Sequence, residues 1–133
     1  MAIRVLLPQP ILPAGYAYLR EHGYEVVDGR GFTEEDIIAD IKDCDAAIIR
    51  TAKVTAKILD AAPKLKILAR HGAGYDGVDL EAARKKGILV LYAPKANSPS
   101  VAELAVFYLL YCSRNFQLVQ KPYKDHYRFA QFT

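Results

Sequence analysis

Five short apolar segments, separated by stretches of helical periodicity, constrain the fold of this chain more than any other feature. They span residues 3–7, 24–28, 45–50, 65–69 and 88–92. Strands that alternate with helices form parallel sheets whose two faces are covered by helices. A single right-handed reversal of the strand order gives the flavodoxin-like arrangement. We therefore predict an α/β fold with a flavodoxin-like five-stranded parallel sheet and helices on both faces.

Local signals predict the first two helices. The first is expected over residues 11–22 and ends at Gly23. Leu12, Tyr16 and Leu19 are predicted to share one face of this helix. Thr33, followed three residues later by Asp36, predicts the capped start of the second helix.

The sequence after residue 92 predicts a loop followed by a long bridging helix. Ser100 and Glu103 form a capping-box pattern, and the helix is expected to end near Arg114. This helix is apolar on nearly all sides, which is typical of helices that are buried all round. Because the preceding small sheet cannot cover so much apolar surface, we expect the helix to need another partner.

Composition disfavours several functional classes. The net charge of +3 is too small to favour nucleic acid, and basic and aromatic residues between 121 and 128 are expected to form a solvated tail. Cys44 and Cys112 give neither a disulfide framework nor a metal spacing, so we predict a reduced, cytoplasmic protein without a metal site. The apolar segment 101–112 is shorter than the about 20 residues that span a membrane.

Residues 70–79 connect the fourth strand to a helix and satisfy the pattern G-x-G-x-x-G with Gly72, Gly74 and Gly77. A dinucleotide fingerprint normally follows the first strand of its unit, and here no acidic residue ends the next strand. Asp76 would also repel a pyrophosphate. Two explanations remain open: a tight turn that needs positive φ, or N–H groups of Gly72, Ala73 and Gly74 that hold a small carboxylate.

Arg50 ends the third strand at the same predicted sheet edge, because the carboxyl ends of parallel strands lie together. Its guanidinium could pair with a substrate carboxylate or phosphate; alternatively, Arg50 is a solvated strand end or forms a structural ion pair. His71 has no carboxylate placed by sequence to orient it, which favours an ordinary loop histidine. The segment Pro8-Gln9-Pro10 lacks the acidic residues of a phosphoacceptor domain and the polar loop of a flavin-phosphate site.

Four blocks of the sequence, residues 65–79, 82–88, 93–98 and 100–104, occur in an order and spacing that resemble the NAD-dependent D-2-hydroxyacid dehydrogenases. Phosphoglycerate dehydrogenase and glyoxylate/hydroxypyruvate reductase are members of that family. The resemblance implies that residues 1–96 are the substrate-binding (catalytic) domain. It also implies that residues 97–133 are the hinge and the first helix of a nucleotide-binding domain.

The resemblance implies roles for individual residues. Ala73 and Gly74, in the turn begun by Gly72, would donate backbone N–H groups to the carboxylate of a small 2-hydroxy or 2-oxo acid. Arg50 would lie near that substrate, and Asn97 and Val101 would approach NAD from the hinge.

The chain also departs from the family pattern. The family's own G-x-G-x-x-G follows the long helix, its catalytic Arg, Glu and His come later, and none of these occurs here. Gly77 stands where the family usually has Asn, and Lys95 stands where Gly is common. We therefore expect a truncated substrate domain that is inactive alone and binds no NAD itself. The alternative is a non-enzymatic module that forms homo-oligomers, such as a dimer, through residues 101–112.

Overall fold

The computed structural model describes residues 2–118 and 120. The chain divides into two compact units, Met1–Ala96 and Asn97–Thr133. The functional roles expected of these two parts remain predictions. The residues predicted to form a solvated tail lie outside the described part of the chain.

The first unit alternates strands and helices throughout. Its strands are β1 (Arg4–Leu7), β2 (Glu25–Asp28), β3 (Ala46–Ile49), β4 (Ile67–Arg70) and β5 (Leu89–Tyr92). Its helices are α1 (Pro13–Glu21), α2 (Glu34–Ile41), α3 (Ala56–Asp60) and α4 (Leu80–Lys85). The second unit contains α5 (Ser98–Ser113).

The strands form one sheet in the order β2-β1-β3-β4-β5, and every neighbouring pair is parallel. This is the flavodoxin-like order, and it confirms the predicted fold class. Right-handed crossovers place α1 on one face of the sheet and α2, α3 and α4 on the other, since the order reverses once, after β2. The carboxyl ends of all five strands therefore share one edge.

The main core lies between the sheet and helices α2, α3 and α4. Because successive side chains of a strand point to opposite faces of the sheet, every second strand residue faces this core. These residues include Leu6, Ala47, Ile49 and Leu68. Each of them is at most 1% exposed. On the opposite face Val5 and Leu7 are also buried, but Leu89 and Leu91 of the outer strand are 56% and 47% exposed. The apolar surface of the sheet is thus buried most completely at its centre.

The capping residue of α2 is as predicted, whereas the start of α1 is not. Thr33 Oγ1 accepts the Asp36 N–H at 3.2 Å, and the Asp36 carboxylate accepts the Thr33 N–H, which completes a capping box. In contrast, Leu12 is the N-cap of α1 and is 75% exposed. The prediction that Leu12 shares a helical face with Tyr16 and Leu19 was wrong because the helix begins only at Pro13, one residue later.

The predicted capping box at the start of α5 was also wrong. The helix begins at Ser98, with Asn97 as an N-cap whose side chain makes no capping hydrogen bond. Ser100 therefore lies inside the first turn. Pro99 does not delay the start, because the first turn needs no N–H donor from that position and tolerates the fixed φ of proline. The helix ends at Ser113, next to the predicted Arg114, and no helix in residues 2–118 is long and apolar enough to cross a membrane.

Candidate functional site

Three loops follow neighbouring strands at the carboxyl edge of the sheet. We name them the β1 loop (residues 8–12), the β3 loop (residues 50–55) and the β4 loop (residues 71–79). Ile49 and Arg70 are paired in the β3–β4 register, so Arg50 and His71 leave the sheet side by side. The loops that carry the predicted site residues are therefore adjacent.

Gly72 makes the sharp turn at the start of the β4 loop. Its φ of 147° lies in a region that favours glycine. Its N–H donates to the Arg70 carbonyl at 2.9 Å, and its carbonyl accepts the Ala93 N–H at 3.0 Å. The tight-turn explanation therefore holds for Gly72, whose N–H is already used inside the turn.

The next two N–H groups of the loop differ from that of Gly72. Within the described part of the chain, neither Ala73 nor Gly74 donates its backbone N–H to an acceptor. Ala73 is half-buried and Gly74 is exposed. Two successive N–H groups that donate to no acceptor within the described residues form a donor pair that is available to bind an anion.

Arg50 leaves the sheet beside His71, at the start of the loop that carries this donor pair, and it is anchored to the β1 loop. Its Nη1 donates to the Pro10 carbonyl at 2.9 Å, and the residue is half-buried. Among the described residues no carboxylate forms an ion pair with Arg50. The structural ion pair considered as the alternative role of Arg50 is therefore not found in this part of the chain.

Arg70 is a site residue that sequence analysis missed. A β-carbon on Gly72 would lie 2.6 Å from Arg70 Nη1, so the guanidinium covers the outer side of the turn. Arg70 also donates to the His71 carbonyl. The missed signal was that Arg70 is the last residue of its strand and pairs with Ile49, the residue directly before Arg50. Two arginines, Arg50 and Arg70, thus lie where the β3 and β4 loops leave the sheet, and the Asp76 carboxylate lies near Gly74 in the β4 loop.

Gln9 is the second residue that sequence analysis missed. Its Oε1 accepts the N–H groups of Thr51 at 2.9 Å and Ala52 at 3.3 Å, and its Nε2 donates to Thr51 Oγ1 at 2.8 Å. The contact joins residues 42 positions apart, which no local pattern reveals. These bonds tie the β1 loop to the β3 loop.

The far end of the β3 loop is joined to the β4 loop. The Val54 N–H donates to the Gly77 carbonyl at 2.8 Å, and the Asp79 N–H donates to the Val54 carbonyl at 2.9 Å. Val54 itself is 1% exposed. The three loops are therefore connected by hydrogen bonds along the whole edge.

The geometry of the β4 loop does not fit a dinucleotide. The Gly77 carbonyl is bonded to Val54, and the N-cap of α4 is Asp79, whose side chain already accepts the Ala82 N–H at 2.9 Å. Asp76 Oδ2 lies 3.4 Å from where a Gly74 β-carbon would stand. An anionic side chain there opposes a pyrophosphate, with its two charges, more strongly than a single carboxylate.

The two residues predicted to approach a cofactor belong to the second unit. The Asn97 carbonyl accepts the Val101 N–H at 3.0 Å in the first turn of α5, and Val101 is exposed. Arg50, Gly72, Ala73 and Gly74 thus lie together in the first unit. The cofactor role of Asn97 and Val101 stays a prediction.

The chain matches the model of the family described as D-isomer specific 2-hydroxyacid dehydrogenase, catalytic domain, over residues 5–130. Human D-3-phosphoglycerate dehydrogenase is 39% identical over 123 residues, which cover 92% of this chain and 23% of the human protein. The chain therefore spans about a quarter of the length of that relative.

Crystal structures show the same relationship. NAD+-bound 3-phosphoglycerate dehydrogenase of Entamoeba histolytica superposes with a TM-score of 0.72 at 33% identity, over 84% of this chain and 39% of that one. The NADPH-dependent glyoxylate/hydroxypyruvate reductase of Sinorhizobium meliloti, in complex with NADP and malonate, gives a TM-score of 0.74 at 29% identity. That match covers 97% of this chain and 41% of the reductase. Because the family match extends over nearly the whole sequence, the chain belongs to the D-isomer-specific 2-hydroxyacid dehydrogenases.

Proposed function

We propose that the first unit binds the carboxylate of a small 2-hydroxy or 2-oxo acid at the carboxyl edge of the sheet. The observation that carries the proposal is the pair of N–H groups of Ala73 and Gly74, which have no acceptor within the described residues and lie in the loop that leaves the sheet beside Arg50. Backbone donors and a guanidinium together match the two oxygens of a carboxylate. Gly72 serves the site by turning the chain.

The substrate class follows from the family and from the charges at the edge. The reductase of S. meliloti reduces glyoxylate and hydroxypyruvate according to its name, and its crystals contain malonate, a small dicarboxylate. Arg50 and Arg70 place two positive charges at the start of the β3 and β4 loops, which suits such anions, while Asp76 places one negative charge beside Gly74. The particular acid is left to experiment.

In the complete enzymes of this family the nicotinamide cofactor supplies or accepts the hydride. We propose that Asn97 and Val101 face that cofactor in a complete enzyme and that the 133-residue chain alone does not bind it. The β4 loop supports this view, since its glycines do not form a phosphate loop and Asp76 lies beside them. Incubation of the chain with NADH and glyoxylate or hydroxypyruvate should leave the NADH absorbance unchanged, and steady oxidation would disprove the inactivity.

Binding is tested by titrating glyoxylate or oxalate into the isotope-labelled chain and following the amide signals. The amide signals of Ala73 and Gly74 should both shift as ligand is added, and the shifts should reach a plateau when the site is saturated. Arg50→Gln should weaken binding about tenfold or more, since it removes a charge-assisted hydrogen bond. The control is Arg84→Gln, which removes the same charge from the exposed surface of α4 and should change the affinity little. Absence of shifts, or equal weakening in both variants, would overturn the proposal.

A second candidate function is self-association through α5. No side chain of this helix is buried, and Leu104 and Leu109 are 51% and 71% exposed. An apolar helix surface of that extent is a common site of protein association. Light scattering over a range of concentrations should show a dimer that Leu104→Lys with Leu109→Lys converts to a monomer. A monomer in the unmodified chain at every concentration would rule this function out.

A further inference from the structure

Gln9 and Arg50 make reciprocal contacts between the β1 and β3 loops. The Gln9 side chain binds the backbone of the β3 loop at Thr51 and Ala52. The Arg50 side chain binds the backbone of the β1 loop at Pro10. Each side chain thus holds the loop that carries the other.

We propose that Gln9 is a positioning residue, which sets the place of the Arg50 guanidinium for the substrate carboxylate. The inference rests on the proposed carboxylate site and adds a residue to it. Gln9 touches no substrate atom in this scheme and acts through the β3 loop.

The chemistry of the carboxamide suits this task. Its oxygen has two lone pairs and accepts two successive N–H groups, which fixes the orientation of both peptide planes directly after Arg50. Its N–H group donates to Thr51 Oγ1 and so also sets the rotamer of that side chain. A hydrophobic or shorter side chain would leave both N–H groups without this acceptor and release the start of the loop.

The surroundings of Gln9 make the clamp stiff. Pro8 and Pro10 flank it, and their rings restrict φ on both sides. Pro8 follows the buried strand β1 and is itself buried. At its other end the β3 loop is held by Val54. Loss of the Gln9 bonds would therefore free residues 50–53 while the rest of the edge keeps its support.

Burial of apolar surface does not explain Gln9. Gln9 is half-buried and Thr51 is exposed, whereas Ala52, the other residue that Gln9 holds, is buried at the edge of the core. A role limited to stability predicts that changes at Gln9 alter unfolding and leave ligand affinity unchanged. A positioning role predicts that affinity changes, and that it changes only while Arg50 is present.

The experiment is a double-mutant cycle on the dissociation constant of oxalate, measured by amide titration of the 133-residue chain. Gln9→Ala should weaken binding about three- to tenfold, the effect of losing hydrogen bonds that hold the loop. Arg50→Gln should weaken it about tenfold or more, and the double variant should match Arg50→Gln alone. Such non-additivity indicates that one residue acts through the other.

Each outcome decides a separate question. If the unmodified chain does not bind oxalate, the proposed carboxylate site fails and the role of Gln9 fails with it. If the unmodified chain binds but Gln9→Ala binds equally well, or the two effects simply add, the positioning role alone is overturned. Should Gln9→Ala not fold, Thr51→Val provides a second test. It removes one of the three hydrogen bonds of the Gln9 side chain, at an exposed position, and is expected to weaken oxalate binding by about twofold. An unchanged affinity in that variant would also count against the proposal.

Discussion

Helices α2 and α5 of this chain have opposite properties. Helix α2 has eight residues, a complete capping box and three acidic residues in its first turn, and it buries Ile37 and Ile41. Helix α5 has sixteen residues, no side-chain cap, no acidic residue in its first turn and no buried side chain. The first helix is specified both by its own ends and by its packing. The second depends on surfaces that must cover it, because its apolar residues lie on every side.

The largest difference should appear when apolar side chains are truncated in the two helices. Ile41→Ala removes a fully buried side chain and should lower the free energy of unfolding by about 2–5 kcal/mol. Leu104→Ala removes a side chain that is about half exposed and should change it by no more than about 0.5 kcal/mol. Urea unfolding followed by circular dichroism measures both. Equal losses would show that α5 belongs to the same cooperative core as α2.

The turns of the first unit extend the comparison from helices to loops. Gly72→Ala places a β-carbon in a backbone conformation that L-residues rarely adopt, and it should cost about 1–3 kcal/mol of unfolding free energy. Gly77→Ala is the matched control, since a β-carbon there would meet only the Ala52 carbonyl at 3.7 Å. It should be neutral or stabilising by up to about 1 kcal/mol. If Gly77→Ala lowered the unfolding free energy as much as Gly72→Ala, the cost would come from substitution anywhere in the loop and not from the φ angle of Gly72.

The sequence predicted the first unit well because its signals are local and agree with one another. Alternating apolar segments identified all five strands, and Thr33 identified the start of α2. The start of α5 was missed because Ser100 is of a residue type that often caps helices, whereas the helix already begins at Ser98. At the site, the glycines revealed the turn but not that the Gly72 N–H is used internally. The Gln9 clamp was missed because it depends on a contact between distant residues.

The two capping-box patterns offer a smaller but sharper test. Thr33→Ala removes the acceptor for the Asp36 N–H and should lower the free energy of unfolding by about 1 kcal/mol. Ser100→Ala alters the same residue pattern in α5, where the serine lies inside the helix, and should leave stability unchanged or slightly higher. Thermal unfolding of the two variants beside the unmodified chain distinguishes them. A comparable loss from Ser100→Ala would place the functional start of α5 at Ser100 after all.

The smallest effect concerns the contact between α2 and α3. Thr55 Oγ1 donates to Glu34 Oε2 at 2.5 Å, and Lys57 Nζ lies 3.5 Å from Glu34 Oε1. The hydrogen bond from Thr55, with the help of the Lys57 charge, lowers the pKa of the Glu34 carboxyl below its ordinary value of 4.5. The carboxyl group therefore binds protons less readily in the folded chain than in the unfolded chain.

The sign of the pH dependence follows from that shift. Above pH 4.5 the contribution of Glu34 to stability is complete, and it is lost as the pH falls through the lowered folded-state pKa, where the folded carboxylate is protonated as well. The difference in unfolding free energy between the unmodified chain and Glu34→Gln should accordingly be constant at neutral pH and shrink on acidification below 4.5. Glu35→Gln removes the same charge from the first turn without touching Thr55, so it separates the contact from the helix dipole. If both variants follow the same pH profile, the first-turn charges of α2 stabilise the helix only through its dipole. The contact of Glu34 with Thr55 and Lys57 then makes no measurable contribution to the stability of α2.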